Sequence, residues 1–152
     1  MESLRSLSEL APIMKEMLDN NKDVSFMPDG ISMLPYLRPN SDRVILTPTL
    51  MPLNKYDMAF YTRANGQPIL HRVVAKTGDT YTMCGDNQAF LEYGVRESQI
   101  IGIVKGFYRG KRFILPKGLR YSVYCRTLHI RRAVLHFIIR VKRKLGKQKN
   151  SR

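Results

Sequence analysis

Three short segments of the chain carry residues from which peptide-bond chemistry could be built. In Gly30-Ile31-Ser32-Met33-Leu34-Pro35 a serine lies between a glycine and a proline, directly after a short apolar run. Gly30 permits backbone angles closed to other residues and Pro35 stops a regular strand, so together they can hold the Ser32 hydroxyl out at a turn. In Ile69-Leu70-His71-Arg72-Val73-Val74 a histidine interrupts an otherwise apolar strand. In Gly85-Asp86-Asn87, with Glu92 six residues beyond Asp86, a loop offers two carboxylates that can return to the histidine. Each segment has a plain structural use on its own: a turn serine, a hydrogen-bonded strand histidine, an Asp-Asn turn that bonds its own backbone. Together they supply nucleophile, base and carboxylate, the three roles that acyl transfer requires.

These residues need a scaffold, and the patterning from Val24 to about Phe113 supplies one. Val24–Met27, Arg43–Thr47, Met58–Arg63, Ile69–Lys76, Thr80–Cys84, Ile100–Tyr108 and Arg112–Leu115 read as strands. Ala64-Asn65-Gly66-Gln67, Lys76-Thr77-Gly78-Asp79 and Arg109-Gly110-Lys111 read as the turns between some of them. There is no βαβ alternation and no internal repeat, so a mainly β, hairpin-rich sheet is expected. Ahead of it, Leu4, Leu7, Leu10, Met14, Met17 and Leu18 recur at three- and four-residue steps, the signature of an amphipathic helix ending near Asn20-Asn21. Pro12 falls either in the first turn of that helix or at a kink. For a chain of 152 residues the expected organisation is one domain with extensions. It runs as an N-terminal helix over 1–22, a β domain over 23–118, a basic amphipathic helix over 119–145 and a disordered basic tail over 146–152.

The net charge of +14 is unevenly spread. Residues 1–97 hold 10 Lys/Arg against 12 Asp/Glu, whereas residues 98–152 hold 16 Lys/Arg and no acid. The C-terminal third is therefore expected to meet an anionic surface. On a helical wheel Ile130, Val134, Phe137, Ile138, Val141 and Leu145 fall on one side, widened by Leu128, Leu135 and Ile139. Arg132, His136, Arg140, Arg143 and Lys144 fall opposite. Three readings follow: a helix packed on the domain with a solvated basic face, a helix lying among anionic head groups, or a nucleic-acid contact. No aromatic interleaving or reader motif accompanies the charge, so no specific nucleic acid is expected.

No run reaches the roughly 18 to 20 apolar residues that a bilayer-spanning helix needs, and no charged and apolar leader opens the chain. The expectation is a protein on the cytosolic side, with peripheral attachment to membrane one of the readings its basic helix leaves open. Cys84 and Cys125 lie far apart at no metal-ligand spacing and read as reduced thiols, and no metal or cofactor is implied.

The ordered set of segments resembles the signal peptidase superfamily, which includes the self-cleaving domains of SOS-type repressors. Gly30-x-Ser32-Met33-x-Pro35 is similar to the serine box, and Asp42-Arg43-Val44 and Lys55-Tyr56-Asp57-Met58 to the two segments that follow it. His71-Arg72-Val73-Val74 with Gly78-Asp79 resembles the base-bearing strand, and Gly85-Asp86-Asn87 through Gly102-Ile103-Val104 the closing box. The likeness covers roughly residues 24–106. It implies the complex β fold of that superfamily and a serine endopeptidase acting on exported proteins or peptide precursors. A catalytically silent or repressor-like β module is the alternative.

Histidine at position 71, where common bacterial signal peptidases carry lysine, is similar to the endoplasmic-reticulum and sporulation type. The resemblance implies Ser32 as nucleophile, His71 as base and Glu92, ahead of Asp86, as the group orienting His71. It also implies the Ser32 N–H as oxyanion donor beside Gly30 and Met33. Gly30 brings no hydroxyl to that hole. An imidazole titrates near about 6.5 unperturbed, so a base that needs no strong desolvation and a rate midpoint at about 6 to 7 are expected.

Overall fold

The computed structural model describes residues 7–149, with side chains through Lys142. The protein is mainly β. Eight antiparallel strands form one sheet: β1 (Val24–Phe26), β2 (Asp42–Thr47), β3 (Met58–Thr62), β4 (Pro68–Thr77), β5 (Thr80–Cys84), β6 (Glu92–Arg96), β7 (Ile100–Arg109) and β8 (Arg112–Ile114). Their order is β1-β2-β7-β3-β4-β5-β6, with β8 pairing β7. The sheet is preceded by helix α1 (Leu7–Asp19) and followed by α2 (Leu119–Arg126) and α3 (Leu128–Lys149).

Strand alternation sorts the side chains into two layers. On one face Val44, Leu46, Met58, Phe60, Leu70, Val104 and Phe107 meet Ala11, Met14 and Leu18 of α1. On the other, Ala59, Tyr61, Val73, Tyr81, Met83 and Val95 form a second cluster. Gly102 lets α1 seat closely, since a Cβ there would stand 2.8 Å from a Leu18 methyl. Pro12 lies inside α1, past the first turn.

Three features depart from the expected organisation. Glu92–Arg96 is a strand, although only Val95 in it is buried. Residues 119–145 are two helices rather than one, broken at Thr127, and α3 runs to Lys149, past the point where a disordered tail is expected. Residues 150–152 of that tail, like Leu4 of the N-terminal helix, lie outside the described residues. The third departure is orientation. Leu128 is buried and Arg131, Arg132, Leu135 and Ile139 are half-buried, with Leu128 and Arg132 beside Val74 and Cys84, while Ile130, Val134 and Phe137 are 54%, 52% and 67% exposed. Ile138 and Val141 are exposed on the same stripe, so of the apolar side it is Leu128, Leu135 and Ile139 that are covered and the central stripe that is left open. Among the described residues no helix is long and apolar enough to cross a membrane.

The segment bearing Ser32 is tied to the sheet by Asp42. This fully buried carboxylate accepts from Arg109 Nη2 at 2.6 Å, from Arg109 Nε at 3.0 Å and from the Arg38 N–H at 2.9 Å. Arg109 also donates to the Tyr36 carbonyl at 2.9 Å. Burial alone would raise the Asp42 carboxyl, but these donors outweigh it and hold it below its ordinary value. Replacing Asp42 by Asn removes the charge that Arg109 faces, and the expected loss is about 2 kcal/mol. Urea unfolding checks it: the midpoint should fall with an unchanged slope.

Candidate active site

Ser32 lies in a turn whose flanking residues are driven inward: Met33 and Leu37 are only 2% and 1% exposed and join the core beneath α1. The turn is pinned from outside by the closing loop. The Asn87 N–H donates to the Ser32 carbonyl at 2.8 Å, and the Asn87 amide donates to the Ile31 carbonyl at 3.3 Å. Gly85 makes the approach feasible, because a Cβ at that position would stand 2.7 Å from the Ser32 carbonyl oxygen. The glycine requirement therefore sits at Gly85 and not at Gly30, which has no positive φ and open space around it. Among the described residues neither the Ser32 hydroxyl nor the Ser32 N–H has a hydrogen-bond partner. A cavity of about 170 Å³ opens beside Ser32, walled by Phe26, Gly30, Met33, Pro68 and Leu70.

The same cavity wall brings β4 to the serine turn. β4 pairs with β3 over Pro68–Arg72 but with β5 only from Arg72 onward, so Pro68–His71 has one side without a strand partner. His71 sits at the end of that open stretch with no exposed surface. Its Nδ1 lies 3.3 Å from the Tyr61 hydroxyl, and its Nε2 has no partner among the described residues. Ser32 thus shares its cavity with Pro68, Ile69 and Leu70 of β4, whereas His71, the next residue, does not line that cavity and makes no hydrogen bond to Ser32. Burial lowers the His71 pKa, the Arg63 cation lowers it further, and Glu92 and Asp86 only partly oppose them, leaving it at about 4. The expected unperturbed imidazole is corrected by this: the His71 ring is strongly desolvated.

The two candidate carboxylates have separate partners. Asp86 accepts both arms of Arg72, at 2.8 and 2.7 Å, and the Tyr124 hydroxyl at 2.9 Å. Arg72 is wholly buried, donates to the Tyr56 carbonyl at 3.0 Å and to the Tyr121 hydroxyl, and lies 5.2 to 5.7 Å from the ring centres of Tyr36, Tyr121 and Tyr124. Asp86 therefore makes no hydrogen bond to His71. Glu92 is the carboxylate on the Nδ1 side, but at 4.0 Å, with Tyr61 between them. It accepts from the Tyr61 hydroxyl at 2.9 Å and from Arg63 Nε and Nη2 at 2.9 and 2.7 Å. Burial would raise Glu92, but Arg63 and Tyr61 hold it below its ordinary value.

Sequence reading did not single out Tyr61, Arg63 or Arg72. One signal for Tyr61 was available in the Asn65-Gly66 hairpin. Its register sets Ala59 opposite His71 and Tyr61 opposite Ile69, which makes Tyr61 and His71 diagonal neighbours on one face. Among the described residues no cluster of His, Cys, Asp and Glu could hold a metal ion. Cys84 and Cys125 are free and buried, and burial pushes both thiols up. No family model, curated protein or solved structure matches the chain.

The two carboxylates should separate in a stability measurement. Asp86→Asn leaves the fully buried Arg72 without its counter-charge and should cost about 3 to 5 kcal/mol. Glu92→Gln alters a partly exposed pair and should cost about 1 kcal/mol or less. Equal losses in thermal unfolding would contradict this division of roles.

Proposed function

We propose that this chain is a serine endopeptidase of the signal-peptidase type, acting on exported proteins or peptide precursors at a membrane surface. The observation that carries the proposal is the buried His71 Nε2, which meets no partner among the described residues, at the end of a half-paired stretch of β4 whose preceding residues share a cavity with Ser32. A substrate entering in extended form can add to the open edge Pro68–His71 as a further strand, with one small side chain in the 170 Å³ cavity. Ser32 Oγ attacks the scissile carbonyl while His71 Nε2 takes its proton. The uncommitted Ser32 N–H receives the oxyanion, without a second hydroxyl donor because Gly30 has no side chain to supply one. The C–N bond breaks as His71 returns the proton to the leaving amine, and water then releases the acyl group by the same base.

The absence of a Ser32–His71 hydrogen bond favours a second reading, a β module of this fold without turnover. A serine-directed acylating probe separates the two: it should label the wild type and not Ser32→Ala, and equal labelling of both would sink the peptidase. The rate should rise with pH as His71 loses its proton, with its midpoint near 4 rather than 6 to 7. Arg63→Gln removes a cation that disfavours imidazolium, so the midpoint should move up. A midpoint unmoved by that change would argue against His71 as the base.

Attachment to membrane is proposed on the outward stripe Ile130, Val134, Phe137, Ile138 and Val141, carried in a region with no acidic residue. Lying in the head-group plane, this stripe would enter the acyl boundary while the flanking Arg and Lys meet anionic lipid. The Phe90 ring, three residues from Asn87, meets His136 of α3 edge-on at 5.2 Å, which keeps the closing loop beside the helix. The full chain should sediment with vesicles containing phosphatidylserine at low salt. Val134→Asp with Phe137→Asp should abolish this, and retention by the double variant would exclude the stripe as anchor.

A further inference from the structure

We infer that Tyr61 is a positioning residue that fixes the tautomer of His71, holding the proton on Nδ1 and leaving Nε2 as a bare acceptor. Its effect on rate rests on the peptidase reading, whereas the tautomer follows from hydrogen-bond accounting within the fold.

A phenol has one proton to donate. Tyr61 lies 2.9 Å from Glu92 Oε2, and that carboxylate, held ionised by Arg63 donating to both of its oxygens, can only accept. Tyr61 is itself fully buried, and burial with the Glu92 contact pushes its hydroxyl pKa up, so the proton stays on the phenol. That proton is directed at Glu92. At the 3.3 Å contact with His71 Nδ1 the phenol oxygen is then the acceptor, and the hydrogen must come from the imidazole. A neutral imidazole carries one N–H, so Nε2 is unprotonated, which is the state a general base needs.

The opposite tautomer would be penalised twice. It would set two lone pairs against each other at the Tyr61 contact, and it would bury an Nε2–H that meets no acceptor among the described residues. Glu92 cannot enforce the orientation directly, because 4.0 Å to Nδ1 is beyond hydrogen-bond reach. The phenol is the bridge, and Arg63 keeps its far end anchored. The groups facing His71 in this account are Tyr61 on β3, Arg63 just beyond it, Glu92 on β6 and Asp86 in the closing loop.

Nitrogen-15 NMR of the histidine ring nitrogens at pH 7 tests the assignment, with the His71 signals identified by their loss in His71→Gln. The wild type should show a proton-bearing Nδ1 and a bare Nε2. Tyr61→Phe keeps the ring and removes the bridge, and should move the population towards Nε2–H while lowering kcat by about tenfold or more with KM little changed. Glu92→Ala is the second variant, for the case in which Tyr61→Phe does not fold. It frees the phenol proton to turn to Nδ1 and should likewise bring in Nε2–H. A wild-type His71 bearing its proton on Nε2, or ring signals that neither variant moves, overturns the inference. A bare Nε2 in a protein that cleaves nothing upholds the tautomer and overturns the peptidase reading instead.

Discussion

A guanidinium with no exposed surface, that of Arg72, is the group on which the rest of the arrangement depends. A buried cation is tolerated when its charge and most of its N–H groups are met, and here Asp86, the Tyr56 carbonyl and Tyr121 meet the charge and four of the five N–H groups inside a ring of three tyrosines. Each partner belongs to a different part of the chain. Asp86 precedes the Asn87 that pins Ser32, Tyr36 follows the serine turn, and Tyr121 and Tyr124 fasten α2 and thus the start of the basic helix. Arg72 is itself the neighbour of His71. Satisfying one buried charge therefore brings together turn, strand, loop and helix.

Environment, and not residue type, divides the carboxylates. Asp86 neutralises a core cation and is spent on architecture. Glu92 stays at the rim, paired with an Arg63 that is itself partly exposed, and reaches the imidazole through a phenol. The sheet supplies both settings because successive residues of β4 point to opposite faces: Arg72 enters the layer beneath α2, and His71 enters the layer of Tyr61 and Val73.

Most of the sheet was legible because its strands alternate and its turns carry Gly or Asn at the positions that need them, as at Gly78 and Gly110 with φ of 55° and 60°. β6 was not, because Glu-Tyr-Gly-Val-Arg is an outer strand with a single inward residue and so lacks the alternation that marks its neighbours. Ser32, His71 and the pair of acids could be picked out by type. Their roles could not be, since what decides them is Arg72 meeting tyrosines 49 and 52 residues further on, and local sequence does not encode such contacts. The side on which the C-terminal helix meets the domain was left open for a related reason. Its apolar stripe is plain on a wheel, but periodicity says only that one side differs from the other, never which side the domain takes.

The half-paired strand β4 has a consequence for how this protein keeps company with itself. An unpaired sheet edge is a template for any other strand, and long ones invite stacking of copies into fibres. Here the opening spans four residues, Pro68 to His71, and begins at a residue that lacks an N–H. Such a gap is long enough for a single extended peptide and too short to recruit a whole foreign sheet. Resistance to fibre growth along this margin then comes from the same four residues that the proposed substrate strand would use.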